Sequence, residues 1–180
     1  MGPDEAPPRL TPPIGDRDHV QGPAGAPITP VEYADFECPF CGDAFAIVRE
    51  AQRRLGDRLR FVFRHFPDPS VHPRAQRAAE AAEAAAAQGS FWAMHDYLFT
   101  HQSSLAEPEL IRYSGLLGLD VDRFARDLRD GSFSARVRED VASGRQSGVT
   151  GTPTFFINGR RHEGSWDLKP LLAALESAVG

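Results

Sequence analysis

The spacing of apolar residues divides this chain into a short α/β segment, a long helical block and a second short α/β segment. Ile28, Val31 and Tyr33 alternate partly with polar neighbours and predict a strand over 28–34, with Pro30 near its start or on an edge. After Cys38, Pro39 stands at a position where a helix accepts proline. Ala44, Ile47, Val48, Ala51 and Leu55 then follow at helical spacing up to Gly56. The run LRFVF, residues 59–63, is apolar enough for a central strand. The result is a β-α-β unit with Cys38 at the first strand-to-helix junction.

Between about 70 and 147 the strand signal vanishes. An alanine-rich run over 73–88 stops at Gly89, and a helix over 90–101 carries Phe91, Met94, His95 and Leu98 on one side. Glu107-Pro108 opens a helix toward Leu117, Asp120 caps another that ends before Gly131, and 132–147 supports a last one. The strand pattern resumes with TFFI, 154–157. The hairpin dipeptide Asn158-Gly159 and a short strand over 160–162 follow. A final helix over 166–179 has Asp167 as its cap and Leu168, Leu171, Leu172, Leu175 and Val179 as its apolar stripe. The fold class is α/β: a frame over 28–69 and 148–180 with a helical insertion over 70–147. Residues 1–27 hold prolines at 3, 7, 8, 12, 13, 23 and 27 and few large apolar residues, which predicts a flexible arm.

Composition narrows the function. A length of 180 residues suits one domain with a real core, and a net charge of −5 without clustered cations argues against nucleic acid as partner. The arginines alternate with Asp, Glu and Ala and read as solvated helix faces. No window approaches 18 consecutive apolar residues, so no membrane span is expected. The first twenty residues lack the charged and apolar regions of a signal peptide. As written the chain is expected in the cytoplasm, or outside it if an upstream signal has been removed.

The candidate chemistry lies in FECPFC, residues 36–41. Two cysteines scattered at random over this length fall three apart only about once in 90 arrangements. Three readings fit the pair. A redox pair at a helix N-terminus gains from unpaired N–H groups and the helix dipole, which favour the thiolate of the first cysteine. A structural zinc site wants two further ligands, and the six histidines are dispersed along the chain. The third reading is a buried pair of small apolar residues.

The segment order, together with FECPFC and the loop GVTGTPTFFING over 148–159, resembles the DsbA-like branch of the thioredoxin superfamily across residues 28–178. That family has a thioredoxin fold with an inserted helical domain. The resemblance implies that Cys38 is the exposed nucleophile and Cys41 the resolving thiol. It also implies that Pro153 is a cis-proline and that Thr152 offers main-chain hydrogen bonds to an extended substrate. Glu32, six residues before Cys38, takes the place of a buried acid that exchanges a proton with Cys41. Pro39 and Phe40 would meet substrate, and Phe36 and Phe66 would extend an apolar surround. No metal or organic cofactor is implied. The partners implied are thiol- or disulfide-containing proteins or peptides and an electron-transfer partner.

One departure from the family bears on direction. The strongest oxidants of the branch carry histidine where this chain has Phe40, and Glu37 beside Cys38 is expected to oppose the thiolate. An intermediate potential follows, roughly −180 to −250 mV. The rival function is a non-enzymatic module on the same frame, either a thiol-based metal carrier or a partner-binding domain.

Overall fold

A computed structural model describes residues 8–179. Five strands form one sheet in the order β1-β3-β2-β4-β5: β1 His19–Gln21, β2 Pro30–Ala34, β3 Phe61–His65, β4 Thr154–Ile157 and β5 Arg160–Arg161. β2 and β3 run parallel, joined by the helix α1 Pro39–Leu55, and every other pairing is antiparallel. The predicted β-α-β unit is therefore present, and β3 is paired on both sides, by β1 and by β2, as its apolar run predicts. Between β3 and β4 lie the helices α2 Ala75–Ala86, α3 Phe91–Thr100, α4 Glu107–Leu116, α5 Val121–Asp130 and α6 Ser134–Gln146; α7 Leu168–Ser177 follows β5. No helix among the described residues is long and apolar enough to cross a membrane.

Local signals account for most element ends. Asp120 accepts the Arg123 N–H at 2.9 Å and so caps α5, which closes on Gly131 in the left-handed region. Asn158 and Gly159 both adopt positive φ, as the tight turn between two twisted strands requires. Asp167 is a correction: it precedes α7 but makes no side-chain cap, and its carboxylate accepts the Ser165 hydroxyl instead. The alanine-rich α2 is buried on nearly every side, because small side chains let α3, α5 and α6 approach it closely.

The flexible arm is also corrected; residues 1–7 of that stretch lie outside the described ones. From Pro8 onward the chain is docked. Leu10 is buried, its N–H donates to the Gly159 carbonyl at 3.0 Å, and β1 pairs with β3 from His19 to Gln21. Prolines forbid a helix here, but their carbonyls still accept hydrogen bonds. Arg64, fully buried, donates to the carbonyls of Pro12 and Pro13 at 3.1 and 3.3 Å and to the Asp18 carboxylate at 2.7 and 3.0 Å. That arginine also departs from the solvated reading given to the arginines as a group.

The two faces of the sheet bury different sets. Strand alternation places Val31, Tyr33, Val62 and Phe156 on one face with Leu10 and Val149. Ala34, Phe61, Phe63 and Phe155 take the other, against Phe36, α1, α3 and α7. Glu32 is in register with Phe63 and Phe155, so its carboxylate enters the second core, the one that holds Cys38 and Cys41.

Candidate active site

Both active-site sulfurs are placed by the start of α1. Cys38 is the extended residue that precedes the helix, Pro39 occupies the first turn without wasting an N–H, and Cys41 heads the buried stripe that continues through Ala44, Val48, Ala51 and Leu55. Both cysteines are free thiols. Cys38 corrects the expectation of an exposed nucleophile: it is only 3% exposed. It opens onto a cavity of about 260 Å³ lined also by Phe40, Phe66, Val71, His72 and Thr152. Phe40 stands 62% exposed at its rim, whereas Phe36 is buried in the core.

The two thiols are driven apart electrostatically. Cys38 is brought down to about 5, chiefly by a hydrogen bond from the Cys41 side chain. Burial opposes this, and the N–H groups of Cys41 and Phe40 and the Thr152 side chain assist it. Cys41 is pushed far up by burial, by that same hydrogen bond and by the charge of Glu32. The Asp35 N–H lies 3.5 Å from Cys41 Sγ. Glu37, expected to oppose the thiolate, has its carboxylate turned to Arg74, accepting the Arg74 N–H at 2.6 Å and lying 3.8 Å from the Arg74 guanidinium, which offsets part of that repulsion.

Opposite the cysteines, the Thr152–Pro153 peptide is cis and the Thr152 carbonyl lies 3.8 Å from Cys38 Sγ. Glu32 is fully buried, its Oε1 has no hydrogen-bond partner among the described residues, and burial together with the Cys38 charge raises it to about 8. Of the residues singled out in the sequence, Cys38, Pro39, Phe40, Phe66 and Thr152 line one groove. Pro153 follows Thr152 directly, and Cys41 and Glu32 lie in the core beneath.

Sequence reasoning set Asp35 beside Glu32 as a nearby acid without a role of its own, and missed Gln102 and His72. Asp35 is buried and binds the turn together: it accepts the N–H groups of Glu37 and Asp68 at 2.8 and 3.1 Å and the His72 Nδ1–H at 2.8 Å. Gln102, just beyond α3, donates to the carbonyls of Phe36 and Cys38 at 2.9 and 2.8 Å. His72 itself lines the groove. The signal for His72 and Asp68 was topological: parallel β2 and β3 put their following loops side by side at the carboxyl edge of the sheet.

Two of the histidines read as dispersed do meet. His19 and His65 each place Nε2 against Glu83 Oε1, at 2.7 and 2.8 Å, in the core next to Phe91. A tetrahedral zinc ion with bonds of about 2.0–2.1 Å would set these atoms about 3.3 Å apart. Their spacing is that of hydrogen bonds. Burial works to raise Glu83, and the two imidazoles outweigh it and hold the carboxylate well below its usual range.

Comparison with known proteins agrees with this geometry. A family model described as Thioredoxin matches residues 15–177. The chain is 54% identical over 165 residues to a protein named Na(+)/H(+) antiporter NhaA 3 of Salinispora tropica, covering 91% of this chain and 25% of that protein. It is 46% identical over 167 residues to Na(+)/H(+) antiporter NhaA 1 of Mycolicibacterium gilvum, covering 92% and 27%. It thus spans about a quarter of the length of the curated relatives it matches. Among solved structures, a thioredoxin-like oxidoreductase from Silicibacter pomeroyi superposes with a TM-score of 0.80 at 27% identity, covering 91% of this chain and 93% of that one. DsbA2 of Pseudomonas aeruginosa gives 0.69 at 26%, covering 91% and 94%. BdbD of Bacillus subtilis gives 0.82 at 22% over 97% and 96%, a likeness of fold. The chain belongs to the thioredoxin family, in the DsbA-like form in which a helical domain is inserted into the thioredoxin frame.

Proposed function

We propose that this chain catalyses thiol–disulfide exchange with polypeptide substrates through Cys38 and Cys41. The observation that carries the reading is the placement of the two thiols: Cys38 opens onto the groove with the Thr152 carbonyl 3.8 Å from its Sγ, and Cys41 is buried behind it, an arrangement that favours a thiolate on the first and a thiol on the second. A pair held in this way has a nucleophile ready at neutral pH and a resolving group that stays silent until it is needed.

In the reducing direction the Cys38 thiolate attacks a substrate disulfide. A Cys38–substrate bond forms and the second substrate sulfur departs with the electron pair. Cys38 has now lost its charge, and with it one of the two causes that keep Glu32 protonated. Glu32 then gives up its proton to solvent and, as a carboxylate, takes the Cys41 proton; Cys41 attacks Cys38, and the substrate sulfur bound to Cys38 leaves with the electron pair as the reduced substrate. The Cys38–Cys41 pair ends as a disulfide, oxidised by the two electrons the substrate has gained. The reverse sequence oxidises a dithiol, with an electron-transfer partner resetting the pair.

The Thr152 main chain and the exposed apolar rim of Phe40 and Val71 suit an extended polypeptide at the groove. Similarity to a quarter-length segment of proteins named Na(+)/H(+) antiporters supports a redox module that serves a membrane transporter. The test is reduction of insulin disulfides by dithiothreitol in the presence of this chain. Acceleration is expected, with loss in Cys38→Ser. Catalysis that survives in Cys38→Ser contradicts the reading, and tight zinc binding by the pair without exchange would favour the metal-carrier alternative.

A further inference from the structure

The exchange reaction leaves one proton unassigned. Cys38 needs no base at neutral pH, and Glu32 serves Cys41 in the core. The substrate sulfur that departs as the Cys38–substrate bond forms, or attacks the mixed disulfide in the reverse direction, sits in the groove, away from the buried Glu32. An alkyl thiol has a pKa of about 8.5, so its thiolate leaves more slowly than one of lower pKa, and a proton delivered to it favours departure.

We propose that His72, oriented by Asp35 in the wall of the groove over Cys38, is the general acid and base for that substrate sulfur; the role rests on the exchange reading above. The geometry is a relay. Asp35 is fixed by two main-chain donors, Glu37 N–H from the active-site turn and Asp68 N–H from the loop after β3. Its remaining contact, to His72 Nδ1 at 2.8 Å, makes that nitrogen the N–H and leaves Nε2 as the nitrogen that exchanges a proton in the groove. The imidazole is 21% exposed, wet enough to equilibrate with solvent and enclosed enough to keep one orientation. The groups that face it are acidic: Asp35 and Glu37 from the turn, Cys38 from the start of α1, and Asp68 from its own loop, with Arg74 engaged by Glu37. Burial pulls the imidazole's pKa down, and the hydrogen bond and charge of Asp35, with the charges of Cys38 and Glu37, outweigh it, so His72 titrates above an ordinary histidine.

The step balances. As the Cys38–substrate bond forms and the substrate disulfide breaks, the departing sulfur takes the electron pair and the Nε2 proton of the His72 imidazolium. The products are a neutral thiol and a neutral imidazole, and the imidazole is reprotonated from solvent. In the oxidising direction neutral His72 removes the proton of an attacking substrate thiol.

The test is leaving-group dependence. The reduced full chain is mixed, in single-turnover stopped flow, with a cystine-containing peptide and separately with 5,5′-dithiobis(2-nitrobenzoate), whose aromatic thiolate departs without a proton. In His72→Gln, and independently in His72→Asn, the ratio of the aromatic to the peptide rate is expected to rise about tenfold or more. The decline of the peptide rate at high pH, where the wild-type imidazolium is lost, is expected to disappear. A ratio within about twofold of wild type in both variants would overturn the role, since a merely structural or charge-holding histidine slows both reactions alike. A folded wild-type protein that reacts with neither disulfide overturns the exchange reading and this role with it.

Discussion

Gln102 donates both protons of its side-chain amide nitrogen to the active-site turn, one to the Cys38 carbonyl at 2.8 Å and one to the Phe36 carbonyl at 2.9 Å. A residue of the helical insertion thereby holds the backbone on which the nucleophile sits. Gly42 belongs to the same arrangement, since a Cβ there would collide with the Gln102 amide. Gln102→Ala leaves the Phe36 carbonyl without its donor, while the Cys38 carbonyl keeps the Gly42 N–H at 3.1 Å, and is expected to cost about 1–2 kcal/mol, or roughly 2–8 °C in Tm. Thermal melts of the reduced protein check this. An unaltered Tm would mean the insertion does not brace the turn.

Cys38 should react with iodoacetamide at a rate that rises with pH through a midpoint near 5. Peptide mapping at pH 6 should find Cys38 modified and Cys41 intact. Because the Cys41 side chain is the largest favourable contribution, Cys41→Ala should move that midpoint upward. A midpoint that stays in place would assign the thiolate to the main-chain donors alone.

Glu32 is raised by burial, then by Cys38, from 4.5 to about 8. A carboxyl with its folded value raised carries no penalty below the unfolded value. As pH rises through the window from 4.5 to about 8, the unfolded chain ionises freely, the folded one does not, and stability is lost. Glu32→Gln removes that loss. Its stability relative to wild type should therefore grow across this window by a few kcal/mol. Urea titrations at pH 5 and pH 9 give the comparison, and equal differences at both would remove the buried charge from the account.

Cys41→Ser should accumulate mixed disulfides on Cys38, and Cys38→Ser should accumulate few, because Cys38 opens onto the groove and Cys41 is closed off behind it. Non-reducing gels after incubation with a cystine peptide separate the two. Equal trapping would erase the distinction between nucleophile and resolving thiol.

Much of the frame was legible because local chemistry and tertiary demand agree there. Pro39 and Gly56 bracket α1, Asp120 and Gly131 bracket α5, and Asn158-Gly159 turns the hairpin. The spacing of Cys38 and Cys41 singled the pair out but left three readings open, and the resemblance of the surrounding motifs pointed to the redox one. What the residues concealed depends on long-range pairing. The proline-rich stretch has no periodicity of its own and takes its order from Arg64, a residue that reads as a surface charge. Asp35 and His72 are 37 positions apart, and only the parallel arrangement of β2 and β3 brings their loops together. Glu37 shows the same dependence: the sequence sets it beside Cys38, and the fold brings Arg74 against it.

The central claim is that Cys38 and Cys41 form one reversible redox pair, and its direct measurement is the equilibrium potential in glutathione buffers. A Cys38 value of about 5 lies between those of thioredoxin, about 7, and the strongest oxidant, about 3.5, whose potentials span roughly −270 to −120 mV. The pair should therefore close to an intramolecular disulfide at about −190 mV, toward the oxidising end of the range expected from FECPFC. A value at or below about −270 mV, or a pair that takes up glutathione without ever closing on itself, would contradict the account.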